Sequence, residues 1–398
     1  MINEKMYALG SKRSTIREIF EYAKTRSAEI GKENVFDFSI GNPSVPAPAC
    51  VHATIKKLID ETPSVELHGY TSAQGGKDVR DTIAANFTRR FGVQISGDYF
   101  YMTCGAAASL TITCKALANT GDEFIVFAPF FPEYRVFVEN AGARLVVVES
   151  CEDTLLPDFE RLERAITPKT KGVLINSPNN PSGVVYGEET IKKLAELLTK
   201  KSAEYGEPIY LISDEPYREL VYDPKTVVPC PMAYYADTIV CYSYSKSLSL
   251  PGERVGYIAV SPKSGEAERI YAAVCGAGRS LGFVCAPALF QRVAAACDGQ
   301  TADLNVYRKN RDLLYNALTD YGFTCIYPDG AFYLFVKAAE ADVAAFCERA
   351  KQYELLLVSG ADFGCKGFVR VAYCVETERI QRALPRFKRL AQDYGLLK

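Results

Sequence analysis

The strongest constraint on the fold is an alternation that runs from about residue 75 to residue 290. Short apolar runs rich in β-branched and aromatic residues, FIVFAP, RLVVVES, KGVLINS, IYLISDE, TIVCYSYS and RVGYIAV, are separated by helix-length amphipathic segments such as DFERLERAI and EETIKKLAELLTKKSAEY. Strands that are apolar throughout are buried on both faces, and parallel strands need helical crossovers. The alternation therefore predicts an α/β fold: a mostly parallel sheet flanked by helices, with ligands held at the C-terminal ends of the strands.

The flanking regions read differently. Residues 14–30 read as an amphipathic helix and lead into the short strand and turn VFDFSIGNPSVPAP, where Gly41, Pro43, Pro46 and Pro48 break regular structure. Beyond residue 300 come a long helix, TADLNVYRKNRDLLYNALTDYG, the strand segments CIYP, AFYLFVKA, LLLVSG and GFVRVAYC, and a last helix from Glu376. A chain of 398 residues exceeds one ordinary core. The expected division is an N-terminal arm over 1–48 that packs with the small domain, a large domain over 49–299, and a smaller α+β domain over 300–398.

Composition removes several function classes. With 46 basic and 48 acidic residues the net charge is −2, so no basic field for nucleic acid is present. No apolar stretch of about 18 residues offers a membrane span, and the N-terminal segment lacks a secretory pattern, so a cytoplasmic protein is expected. The 13 cysteines include no Cys-x-x-Cys pair and read as reduced, mostly buried small side chains. Only His52 and His68 are available as imidazoles. No metal site is expected, and proton transfer must fall to another group.

Chemistry concentrates where predicted strands end. DTIVCYSYSKSLSLPGERVGYIAV runs from a strand into a polar turn with Ser243, Ser245 and Lys246, and Arg254 follows eight residues after the lysine. Alone, Lys246 reads as a solvated lysine. IYLISDEPYREL ends in Asp214 and Tyr217, which alone read as a helix cap and a core tyrosine. GVLINSPNNPSG places Asn180 in what turn chemistry alone explains. FYMTCGAAASLTITCKAL sets Gly105, Ala106 and Ala107 at a helix start, whose free N–H groups suit a phosphate. GFVRVAYC buries Arg370 among apolar neighbours, where a guanidinium requires an anion, a structural ion pair being the plain alternative.

Taken together, these segments resemble the fold type I pyridoxal-phosphate enzymes, and among them the class I and II aminotransferases that include the aspartate, aromatic and alanine transaminases. The resemblance runs in family order from SIGNP to GFVRVA. It implies that Lys246 carries pyridoxal 5′-phosphate through an imine and moves the substrate α-proton, for which the amine must lose its charge. It further implies that Asp214 holds the ring nitrogen, Tyr217 and Asn180 the phenolic oxygen, and Phe131 one ring face. Ser243, Ser245, Arg254 and the Gly105–Ala107 turn would bind the phosphate. Arg370, Asn180 and Gly41 would bind the substrate carboxylate. Tyr70 matches a tyrosine that reaches the partner subunit's phosphate, which implies a homodimer with shared active sites.

The activity implied is transfer of an amino group from an L-amino acid, aspartate-type or broadly chosen, to a 2-oxo acid such as 2-oxoglutarate. Some bacterial aspartate transaminases of the class carry a lysine where this chain has Ala107. That departure puts simple dicarboxylate selectivity in doubt, with Arg13 or Arg17 as possible substitutes. The same cofactor site also serves carbon–sulfur β-lyases. A cofactor-binding regulator would need a DNA-binding module ahead of SIGNP, for which the 38 residues before it are too few.

Overall fold

The computed structural model describes residues 2–11 and 15–397. The chain divides into two compact units. The larger comprises Val45–Leu304 with Asp329–Ala331, and the smaller comprises Met1–Ser44, Asn305–Pro328 and Phe332–Lys398.

The larger unit is built on a seven-stranded sheet. Six of its strands are the apolar runs quoted above: Glu123–Ala128, Arg144–Glu149, Thr170–Asn176, Tyr210–Asp214, Thr238–Ser243 and Gly256–Val260. Phe100–Thr103 is the seventh. The spatial order is Phe100–Thr103, Gly256–Val260, Thr238–Ser243, Tyr210–Asp214, Thr170–Asn176, Glu123–Ala128, Arg144–Glu149. Gly256–Val260 pairs antiparallel with both neighbours and the other pairings are parallel. Because that strand is reversed, its first residue, Gly256, lies on the same sheet edge as Thr103, Ser243, Asp214, Asn176 and Ala128, the last residues of five others.

Alternation along the strands splits the core between two faces. On one, Tyr101, Val126, Leu174, Ile212, Cys241 and Ile258 pack with the helices Ala106–Leu117 and Ala267–Leu281. On the other, Phe100, Met102, Val240, Tyr242 and Tyr257 pack with Lys77–Phe91 and Ala288–Ala296. Burial on both faces explains why these strands read as continuous apolar runs. The glycine-rich stretch GAGRSLG, residues 276–282, closes the helix Ala267–Leu281 and follows no strand, so it lacks the setting of a dinucleotide loop.

The smaller unit carries the helix Leu304–Asp320, a four-stranded antiparallel sheet and the helix Thr377–Asp393. In the sheet, Phe368–Ala372 lies between Val358–Ser359 and Tyr333–Lys337, with Cys325–Ile326 on the outer edge. The segment LLLVSG proves to be two pieces in different sheets. Leu355–Leu356 pairs in parallel with Phe36–Asp37, whereas Val358–Ser359 joins Phe368–Ala372. All thirteen cysteines are free, but only Cys114, Cys230, Cys241, Cys297 and Cys374 are fully buried, fewer than the sequence suggested. No helix among the described residues is long and apolar enough to cross a membrane.

Candidate active site

The shared sheet edge gathers most of the residues singled out in the sequence. The strand Thr238–Ser243 ends by feeding the one-turn helix Tyr244–Ser247, capped by the Ser243 hydroxyl, which accepts from the Ser245 N–H at 3.2 Å. Lys246 is the third residue of that turn and is half-buried. The Ser243 hydroxyl donates to Ser245 Oγ at 2.7 Å, and Arg254 Nη1 donates to the same oxygen at 3.3 Å. Arg254 stands in the left-handed region, φ 49°, and its other polar contact here is the Pro251 carbonyl at 3.0 Å.

Gly105 precedes the helix Ala106–Leu117, whose N-terminus no side chain caps. It adopts φ 84°, and a Cβ added there would stand 2.6 Å from Arg254 Nη2. Only glycine therefore lets this backbone approach the guanidinium. The result is a concave arrangement of helix N–H groups, two hydroxyls and a cation, the donor set that binds a phosphate. Ala106 is half-buried and Ala107 is exposed at the helix start.

Asp214 closes the neighbouring strand and is 4% exposed. Its Oδ2 accepts from the Tyr134 hydroxyl at 2.5 Å and from Asn176 Nδ2 at 3.5 Å. Its Oδ1 is buried and has no hydrogen-bond partner among the described residues. Burial raises this carboxyl from 3.8 to about 7, against the opposing Tyr134 hydrogen bond and with a smaller upward push from Glu215. A buried carboxylate oxygen without a donor is costly, so the geometry calls for an N–H or cationic group from outside the chain. A protonated pyridine nitrogen meets that need.

Asn176 and Tyr134 were not singled out in the sequence. Asn176 Nδ2 donates to the Asp214 carbonyl at 2.9 Å, and its Oδ1 accepts from the Asn180 N–H at 2.7 Å. One side chain thus ties the Asp214 strand to the Asn180 turn. Tyr134 lies in the helix Glu133–Asn140, and its ring meets Phe131 edge-on at 5.6 Å. Asn176 closes the strand Thr170–Asn176 inside GVLINSPNNPSG, where its position could have marked it, whereas Tyr134 sits in a helix. Tyr217 is buried three residues beyond Asp214. Tyr70 stands apart from this group as an almost wholly exposed side chain, at 99%.

The smaller unit places Gly41 and Arg370 together. Arg370, 2% exposed, sits in the middle of Phe368–Ala372, donates to the Ser39 carbonyl, and stacks 4.6 Å from the Tyr333 ring and 4.8 Å from that of Phe363. The arm is tied to this strand by Ala372 N–H to the Phe38 carbonyl at 2.9 Å and by the Cys374 thiol to Ile40 at 3.5 Å. A Cβ at Gly41 would collide with the Tyr333 hydroxyl, so the arm passes directly over that ring. Arg17 is exposed on the helix Thr15–Ile30, and Arg13 lies outside the described residues.

The profile of aminotransferase class I and II matches residues 33–387. The chain belongs to that family. Among curated relatives, aspartate/prephenate aminotransferase of Thermus thermophilus is 32% identical, over 81% of this chain and 83% of its own length. Aspartate aminotransferase of Thermotoga maritima is also 32% identical, over 92% and 94%. A solved amino transferase from Eubacterium rectale shares 56% identity and superposes with a TM-score of 0.97 over 99% of both chains. The aspartate aminotransferase of Thermus thermophilus solved with maleate gives 27% identity and a TM-score of 0.85, covering 98% of this chain and 99% of that one. The protein is an aminotransferase, with the large, mostly parallel sheet and smaller antiparallel sheet of that fold. These comparisons lend no support to the lyase or regulator readings.

Proposed function

We propose that this aminotransferase works with pyridoxal 5′-phosphate, taking the amino group of an aspartate-type or broad set of L-amino acids and passing it to a 2-oxo acid such as 2-oxoglutarate. The observation that carries the reading is the buried, unpartnered Oδ1 of Asp214 on the same sheet edge as the Ser243, Ser245, Arg254 and Gly105 cradle. Bound cofactor supplies an aldehyde and a cationic ring that accepts the electrons left when the α-proton departs.

The chain's own groups do the rest. Lys246 is the nucleophile that holds the cofactor and the base that takes the α-proton and returns it. Asp214 keeps the ring nitrogen protonated. Tyr217 and Asn180 donate to the phenolic oxygen, Phe131 covers a ring face, and the Gly105, Ala106 and Ala107 turn binds the phosphate with Ser243, Ser245 and Arg254. Arg370 grips the substrate α-carboxylate bidentately, aided by Asn180 and Gly41.

Tyr70 has no use as a lone, fully exposed ring, and we assign it to the phosphate of a second copy in a homodimer with shared sites. The 13 free cysteines fit a reducing compartment, so the cytoplasm is the proposed location. Dicarboxylate preference is supported by the names of the relatives and not by Ala107, which offers no charge to a side-chain carboxylate. The test is a half-reaction screen in which purified, cofactor-loaded protein is mixed with each common amino acid and its absorbance followed. Conversion by aspartate or glutamate is expected, with recovery on adding 2-oxoglutarate; conversion by no amino acid would overturn the proposal.

A further inference from the structure

The turn that carries Lys246 rests on a buried polar network that the chemistry above does not use. Behind the sheet edge, Arg218 is 4% exposed and lies 3.1 Å from Glu215 Oε2, 3.8 Å from Glu219 Oε1 and 4.3 Å over the Tyr242 ring. Arg90 reaches the same Glu219 oxygen at 2.7 Å. With Asp298, which interacts with the same two guanidiniums, three carboxylates share two cations in this network.

Its other end is the lysine's neighbour. Tyr242 Oη lies 2.7 Å from Glu219 Oε2 and 2.9 Å from Ser247 Oγ. An ionised carboxylate only accepts, so the single phenolic hydrogen goes to Glu219. The same phenolic oxygen lies within hydrogen-bond distance of the Ser247 hydroxyl, so Tyr242 links Ser247 to Glu219. The turn is pinned at two further points. Ala302 N–H donates to the Ser247 carbonyl at 2.8 Å, and the Tyr244 hydroxyl donates to Asp298 at 2.8 Å. Ser245, on the other side of Lys246, is committed to Ser243 and Arg254.

We infer that Ser247, Tyr242 and Glu219 form a positioning relay that fixes the Lys246 turn from behind, so that the ε-amine is presented in one place for both of its tasks. Its contact with the turn is made at Ser247, the residue after the lysine, so it acts on the amine through the position of that turn. A misplacement of about 1 Å at a reacting group is worth roughly a hundredfold in rate, which makes a rigid mount consequential.

The inference rests on the proposed role of Lys246, and the experiment separates the two. Cofactor-loaded wild type, Ser247→Ala, Tyr242→Phe and the double variant are reduced with borohydride and mapped by mass spectrometry. Each is also followed in single turnover, in the pH titration of the lysine-linked absorbance, and in thermal melting. Ser247→Ala removes one hydroxyl and leaves Tyr242 on Glu219, so folding is retained. Label at Lys246 is expected throughout, with single-turnover rates lowered about ten- to a hundredfold at a KM changed less than about threefold. The absorbance midpoint should shift, and the double variant should fall no further than the worse single one. Rates and midpoints equal to wild type, or losses that multiply and merely track melting temperature, would overturn the relay while leaving Lys246 in its role. Absence of label at Lys246 in the wild type overturns both.

Discussion

Asp214→Asn offers a quantitative check that needs no substrate. In the cofactor-free chain this carboxyl is raised from 3.8 to about 7, chiefly by burial. Between those pH values the folded protein holds a proton that the unfolded chain releases. Stability from that proton is fully present below about pH 4 and is lost as pH rises through about 7. At ~1.4 kcal/mol per unit, the whole shift amounts to about 4 kcal/mol, of which about 3 kcal/mol falls between pH 4.5 and 8.5. The asparagine cannot ionise, yet its amide oxygen still accepts from Tyr134. Urea unfolding of both cofactor-free proteins across that range should show the difference moving about 3 kcal/mol in favour of the variant as pH rises, nearly all of it below pH 8. A difference constant to within about 0.5 kcal/mol would refute the claim that this buried carboxylate lacks a second donor until the cofactor arrives.

Three further substitutions probe the other contacts. Arg370→Ala removes a buried cation from between the Tyr333 and Phe363 rings and should lower kcat/KM for amino acids roughly a hundredfold or more, with cofactor affinity within about threefold of wild type; steady-state kinetics and a cofactor titration decide it. Gly105→Ala forces a Cβ against Arg254 at φ 84° and should weaken cofactor binding about tenfold with the far-UV circular dichroism unchanged. Tyr70→Phe should leave stability of the cofactor-free protein within about 0.5 kcal/mol, as for any exposed site, while cofactor affinity falls severalfold. Equal affinity would remove Tyr70 from the phosphate site.

Most of the large sheet was legible because strands buried on both faces leave continuous apolar runs; the edge strand Arg144–Glu149, with Arg144, Val147 and Glu149 exposed, is the exception. The short strand Phe36–Asp37 was legible in VFDFSIGNP, but its partner was not, because the parallel pairing with Leu355–Leu356 joins segments more than 300 positions apart. Residues at strand ends could be found because the strand itself marks the spot. Tyr134 could not, because it lies within a helix 80 positions from Asp214; Asn176 does close a strand, but its bond to Asp214 spans 38 positions and an asparagine there has an ordinary turn reading. The relay was hidden for a related reason. In DEPYREL the charges of Glu215, Arg218 and Glu219 look like a solvated face, and only the fold reveals that all three are buried under Tyr242.

The central claim is that Lys246 is the residue that holds the cofactor. Borohydride reduction of the cofactor-loaded protein, followed by digestion and mass spectrometry, reads this directly. The expected result is one phosphopyridoxyl group per chain, on the peptide containing Tyr244, Ser245 and Lys246, and none in Lys246→Ala. Label on a different lysine, or undiminished label in the variant, would contradict the account.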